Sequence, residues 1–325
     1  MKYVSGRDNL AVTIYAPYDC PNNCPFCTSK QLYKDTKGSF YGVYTAINTL
    51  KNTTIPYKEF VITGGEPTAN IKLLRCIISH LPHDKRIFIN TTLLAKTYNE
   101  FVEYLLSPEG QRINGVNISR HAATYEEELS TLSHIATDEQ IQQLAQIVPV
   151  RINCVLTPNT NKKEVINRWY GKNVEISFRA DFTTIHTDAE LHTPYDPNAI
   201  ELSQNCSYVE HTGCNVCDTV IFKRDNMNIR YHRGKEHTLI VREEEIEFND
   251  IIVFPDGTFS LDWDNNIINR THAQNMINHY EKPAVASCPD YDNYYSSYRR
   301  YSCGGYGCGG SYPPYYSCGG RGCGG

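Results

Sequence analysis

Residues 10–27 read LAVTIYAPYDCPNNCPFC. The first seven, Leu10–Ala16, carry the β-branched and aromatic side chains of a strand. Three cysteines, Cys20, Cys24 and Cys27, follow within eight residues. Thiolates so close can converge on one small metal centre, and soft thiolates suit zinc or an iron–sulfur cluster. A structural zinc usually takes four protein ligands, and no fourth cysteine or histidine lies nearby. Three thiolates on a [4Fe–4S] cube would leave one iron open for a substrate or cofactor.

Outward from this stretch, short β-rich runs alternate with helical patterns. Further strands are expected at Glu59–Thr63, Arg86–Asn90, Gly115–Ser119, Val150–Leu156 and Val174–Phe178. Helices are expected near Tyr41–Leu50, Ile71–Leu81, Tyr98–Leu106, Asp138–Ile147 and Lys162–Trp169, with Thr97 and Asp138 as N-caps. Such alternation predicts βαβ units and a parallel sheet. About six repeats suit an open, partial (βα)6 barrel better than a closed eight-fold one. In such sheets the chemistry sits at the C-terminal strand ends. The expected fold is therefore α/β.

A second motif, Val61-Ile-Thr-Gly64-Gly65-Glu66-Pro67, follows the second strand. The CxxxCxΦC loop, with Phe26 before its last cysteine, resembles the radical S-adenosylmethionine (radical SAM) superfamily, and the GGEP motif resembles that family's own. The resemblance covers about residues 8–185. It implies that Cys20, Cys24 and Cys27 each bind one iron of a [4Fe–4S] cluster, and that SAM chelates the fourth. The stretch Gly64 to Pro67 would meet the methionyl amino group. Glycines let backbone approach closely, and the Glu66 carboxylate accepts hydrogen bonds. The Phe26 backbone would read the adenine. Ser119, Asn153 and Arg179, at later strand ends, would be further SAM contacts, with Arg120 and His121 at the same rim. The catalytic residue is not identified; His121 is the candidate for a part in the reaction on the substrate. The family's chemistry is reductive cleavage of SAM to methionine and a 5′-deoxyadenosyl radical that takes hydrogen from a substrate. It implies an electron donor such as flavodoxin or ferredoxin.

The 325 residues carry a net charge of −5, so no global basic field of the kind that drives nucleic-acid binding exists. No run of about 18 apolar residues predicts a membrane span, and the N-terminus does not read as a signal peptide. A cytoplasmic protein is the expectation. The cysteine count, 13, is odd, which disfavours a disulfide framework and favours ligation. A second group, Cys206, Cys214 and Cys217, reads as an auxiliary iron–sulfur cluster, a zinc site, or unligated or redox thiols, with His211, His237, Cys288, a tail cysteine or a substrate as a fourth ligand. Cys76 and Cys154 read as small buried hydrophobes, and His80 and His83 as partners of a helix end. Glu126–Glu128 and Glu243–Glu245 read as solvated charge runs. Pro255-Asp256-Gly257 predicts a hairpin turn.

Three regions follow: a core barrel over 1–185, a small irregular C-terminal extension over 186–288, and a low-complexity tail over 289–325. The tail holds 9 of the 24 tyrosines and 10 of the 21 glycines, too few aliphatics for a core, and is expected to be disordered. It repeats itself: YSCGGYGCGG at 301–310 returns as YSCGGRGCGG at 316–325. It reads as a fused substrate-like segment, a metal-handling tail, or an inert end. The expected function is hydrogen abstraction from a peptide or protein, as in maturation of a ribosomally made peptide. The alternatives are a small-molecule substrate such as a nucleotide or cofactor precursor, or a non-catalytic iron–sulfur or metal-binding protein.

Overall fold

The computed structural model describes residues 1–17, 20–27, 38–157, 159–180, 206–212, 217–234, 239–263 and 266–281. The chain divides into two units, Met1–Lys282 and Pro283–Gly325. The second, with the expected disordered tail, lies outside the described residues.

A short β1 (Lys2–Ser5) precedes six parallel strands: β2 (Ala11–Ala16), β3 (Glu59–Gly64), β4 (Arg86–Thr91), β5 (Ile113–Ser119), β6 (Val150–Leu156) and β7 (Glu175–Ala180). Between them run α1 (Phe40–Lys51), α2 (Ile71–His80), α3 (Tyr98–Leu106), the single turn α4 (Tyr125–Glu128), α5 (Asp138–Leu144) and α6 (Lys162–Trp169). The expected elements form to within a few residues at each end. On one face of the sheet every second residue is a fully buried apolar side chain, from Val12 and Ile14 on β2 to Ile176 and Phe178 on β7. The helices meet this face with stripes at helical spacing, such as Val43, Ala46, Ile47 and Leu50 on α1. Each such burial contributes roughly 1.5–3 kcal/mol.

The extension differs from expectation. Its residues form β8 (Ser207–Thr212), β9 (Cys217–Arg224), β10 (Met227–Gly234), β11 (Leu239–Val241), β12 (Glu245–Phe248), β13 (Asp250–Val253), β14 (Phe259–Ser260) and α7 (Ile267–His279). β10 lies parallel to β7 and β13 parallel to β2, so the sheet runs β14-β13-β2-β3-β4-β5-β6-β7-β10-β9-β8. The extension is thus mostly strand and lengthens the barrel sheet at both ends, with no division at 185/186. Among the described residues the sheet stays open, because β14 and β8 are not neighbours. β1, β12 and β11 make a separate three-stranded sheet. The predicted Pro255-Asp256-Gly257 turn joins β13 to β14, with Gly257 at φ +86°.

The cap of α5 corrects a second expectation. Thr137, not Asp138, is the N-cap: its hydroxyl accepts from Gln140 N–H, and the Gln140 side chain accepts from Thr137 N–H. Thr97 stands at the cap position of α3, but its side chain makes no cap bond. Thr137→Ala should therefore lower stability by about 1 kcal/mol and Thr97→Ala by much less, read from paired urea unfolding curves.

Candidate active site

The second face of the sheet is polar, and its strand register sets the side chains in rows. Across the middle, Asn117, Arg151 and Glu175 are register partners, with Asn228 bonded to the Glu175 carboxylate at 2.6 Å. One step toward the C-terminal strand ends, Ser119, Asn153, Ser177 and Arg230 form the next row. The last row holds Val155, Arg179 and His232. Alternation along a strand sends these side chains to the face opposite the helices. The Arg7 charge is felt at His232 although Arg7 sits beside β13, at the other side of the sheet. The sheet therefore curls, and the polar face lines a lumen. Ser119 and Asn153 are register partners on this face, and Arg179 lies one row further toward the strand ends.

At the C-terminal ends of β2 and β3, Ala16 and Gly64 are register partners. The cysteine loop and the GGEP turn thus leave the sheet side by side. Gly64 has φ +133°, and a Cβ there would lie 2.5 Å from Ala16 O, so only glycine fits. Cys20, Cys24 and Cys27 are half-buried, and Cys27 N–H donates to Cys24 O at 3.2 Å. Among the described residues no three Cys, His, Asp or Glu side chains are already gathered as a metal cage.

Glu66 departs from its expected role. Its carboxylate is buried and accepts from Thr68 N–H (2.9 Å), Thr68 Oγ1 (2.7 Å), Thr91 Oγ1, Thr92 N–H (2.6 Å) and Thr92 Oγ1 (2.5 Å). Five donors use the roughly four lone-pair sites of a carboxylate completely. None remains on the carboxylate for a methionyl ammonium, so the Glu66 carboxylate acts as a clamp on the strand ends. Pro67 opens the short turn that Glu66 caps and is itself buried. The accessible part of the motif is Gly64 and Gly65.

The same clamp holds the cysteine loop. Asn22, between Cys20 and Cys24, is buried and donates from Nδ2 to Thr92 Oγ1 at 2.9 Å. A second anchor lies at Phe26, whose ring meets the His121 ring edge-on at 4.4 Å between centroids. His121 Nδ1 accepts from Val155 N–H at 3.1 Å, which places its proton on Nε2. Burial, then the Arg120 charge, pushes its pKa down to about 3. A neutral, tautomer-fixed imidazole supports the loop; it is not a base poised near neutrality. Arg120 is fully buried and donates to Thr92 O, Ser119 O and Ala136 O, so it ties strand ends together instead of facing a ligand. Glu128, expected to be solvated, is fully buried: it accepts from His121 N–H, Ala122 N–H and Arg168 at 2.7, 3.1 and 2.8 Å. Arg168 also grips Asp138 at 2.7 Å. Thr91, Thr92, Asn22 and Arg168 were not singled out from sequence, and Glu128 was read only as a solvated charge. A pair of threonines at a strand's C-terminal end was the available signal.

Two members of the second cysteine group, Cys206 and Cys217, do not converge. Ser207 pairs with Lys223 and Thr212 with Thr219, so Cys206 lies at the open end of the β8–β9 hairpin. Cys217 begins β9 at the other end, six residues or about 20 Å from Lys223. One small metal centre cannot take both. Cys206 packs against the core, and burial raises its pKa. Cys214 lies outside the described residues. Cys154 is a buried small hydrophobe, as expected.

The residues present fit the cofactors the motifs imply. Soft thiolates stand beside a glycine turn that admits close backbone approach. Asn153 Oδ1 is a buried acceptor without a partner on the same lumen face, an atom that a bound group would satisfy. A cavity of about 710 Å³ lies elsewhere, at the N-terminal strand ends, lined by Asn117, Arg151, Glu175 and Met227 among others.

Two outcomes follow from this geometry. Glu66→Gln replaces an acceptor with an amide NH2 donor among buried donors and should cost about 2 kcal/mol or more of stability in urea unfolding; a mere SAM contact would leave stability unchanged. His232 is held neutral, its pKa pushed to about 3 by burial and then by Arg179, Arg7 and Arg151. Its unfolded form, with a pKa near 6.5, takes up the proton that the fold refuses. That share of stability is complete above pH 6.5 and lost as pH falls toward 3. Between pH 7 and 5 it amounts to about 2 kcal/mol, and His232→Gln should remove this share of the pH dependence.

Residues 9–114 match the family described as a 4Fe-4S single cluster domain. No curated protein matches the chain. Among solved structures, Streptococcus suis SuiB bound to S-adenosylmethionine is 13% identical, with a TM-score of 0.51 over 77% of this chain and 59% of that one. Methylornithine synthase is 13% identical, with a TM-score of 0.39 over 54% of each chain. The chain thus spans less than two thirds of the length of these structures. The matched cluster domain encloses both the cysteine loop and the glycine turn, and the fold shared with the SAM-bound SuiB structure carries them at adjacent strand ends where the lumen opens.

Proposed function

We propose that this enzyme reductively cleaves SAM at a [4Fe–4S] cluster and abstracts hydrogen from a peptide or protein, in the maturation of a ribosomally made peptide. The observation that carries the proposal is the pairing of Ala16 with Gly64, which launches the cysteine loop and the glycine turn from adjacent strand ends. The cluster and SAM, when bound, supply the one-electron cleavage and the hydrogen abstraction. Cys20, Cys24 and Cys27 would hold three irons. Gly64 and Gly65 let backbone approach the methionyl amine. Asn153 Oδ1, Ser119 and Arg179 line the lumen where the rest of SAM would lie. Asn22 and Phe26 fix the loop through Thr92 and His121, so the thiolates are aimed before any ligand arrives. A peptide is supported by the open sheet: among the described residues its outer strands β14 and β8 do not pair, which leaves a lateral entrance to a polar lumen. An electron donor of the flavodoxin or ferredoxin kind belongs to the same reading.

The test uses anaerobic protein with reconstituted cluster, SAM and a reductant. Wild type should bind iron and form 5′-deoxyadenosine. Cys24→Ala should lose the cluster signal and all SAM cleavage while keeping the fold by circular dichroism. Cleavage that persists in this variant would refute the assignment.

A further inference from the structure

The lumen wall on β7 and β10 holds more positive charge than the SAM reading uses. Arg151 donates to Glu175 Oε2 through two nitrogens, at 3.3 and 3.2 Å. Arg230 donates to the same oxygen through Nε alone, at 3.3 Å. Two guanidinium groups share one carboxylate, and the terminal nitrogens of Arg230 have no partner among the described residues. Arg230 lies in the row of Ser177, one step below the neighbouring pair Arg179 and His232. Its side chain is 27% exposed, so a ligand in the lumen can reach it. Arg7, the other cation near this wall, is answered by Asp250 at 3.1 Å. SAM brings one carboxylate, which Arg179 would meet. The charge on Arg230 remains. A guanidinium with its two terminal nitrogens available matches a carboxylate bidentately, and the enclosed lumen strengthens that bond.

We infer that Arg230, with His232 beside it, forms a subsite for a substrate carboxylate, so that the substrate is an acidic peptide. The inference rests on the radical SAM reading above. It also bears on the tail. Residues 293–325 contain no Asp or Glu and carry Arg299, Arg300 and Arg321. Such a segment adds positive charge to a positive wall. The side chains that fill the lumen therefore come from an acidic segment other than this repeat.

The test titrates two capped peptides, acetyl-Gly-Cys-Gly-Glu-Gly-amide and its Gln counterpart, onto full-length protein holding cluster and SAM, without reductant, by calorimetry. SAM affinity is measured first. Wild type should bind the Glu peptide about tenfold more tightly than the Gln peptide. A peptide with the sequence of residues 301–310 should bind no better than the Gln peptide. Arg230→Gln should erase the preference with SAM affinity unchanged, and Arg230→Lys should keep part of it. Equal binding of the two peptides by wild type, binding of neither, a preference that survives Arg230→Gln, or a loss of SAM affinity in that variant would each overturn the inference. Failure of wild type to bind SAM at all would instead overturn the radical SAM reading.

Discussion

One buried carboxylate organises the working end of this molecule. Glu66 gathers the donors of Thr68, Thr91 and Thr92, and through Thr92 it reaches Asn22 in the cysteine loop and, by a backbone carbonyl, Arg120. A charge taken out of water must be compensated by hydrogen bonds of good geometry, or it unfolds its surroundings. Satisfying Glu66 therefore forces the ends of β3 and β4 and the start of the cysteine loop into one arrangement. Arg120 passes the constraint on to β5, and Glu128 and Arg168 extend it to α4 and α6. The glycines and cysteines that would touch cofactors sit on this frame; they do not build it.

The two faces of the sheet divide the labour. The helix-covered face is a continuous apolar layer, and its burial holds the barrel together. The lumen face gives up that stabilisation for asparagine, serine and arginine rows that a cofactor and substrate can use. Buried polar groups such as Asn117 are kept satisfied by neighbours, here Asn90 at 2.8 Å. Asn153 Oδ1 is one exception among the described residues, and it lies where the SAM contacts were expected.

Much of this was legible in the sequence, for physical reasons. Strands β2 to β7 are bounded by helices with clear stripes and caps, and the two motifs occupy the turns that follow β2 and β3. What stayed hidden depends on distant pairing. The Pro255-Asp256-Gly257 turn was readable as a hairpin, yet nothing local says that β10 joins β7 or that β13 joins β2. Burial was equally opaque. Glu126, Glu127 and Glu128 look alike in sequence, and only the third turns inward to Arg168. Likewise a GGEP motif reads as a ligand contact, whereas the lone pairs of Glu66 are spent on threonines that a family motif does not include. Spacing suggested that Cys206, Cys214 and Cys217 act together; the hairpin register, invisible to spacing, sends Cys206 and Cys217 to opposite ends.

The pairing of β13 with β2 also constrains how the protein is made. β2 carries the cysteine loop at its end, and one of its two edges is covered only by residues 250–253. On the ribosome that edge stays bare while more than two hundred residues emerge. Its unpaired amides and carbonyls are open to wrong partners throughout that interval. The loop's strand gains its second neighbour only once residues 250–253 have been made, so a shortened chain that retains both motifs still lacks one wall of the cluster-bearing strand. Iron delivery to such a chain would meet thiols on a sheet edge rather than on an interior strand.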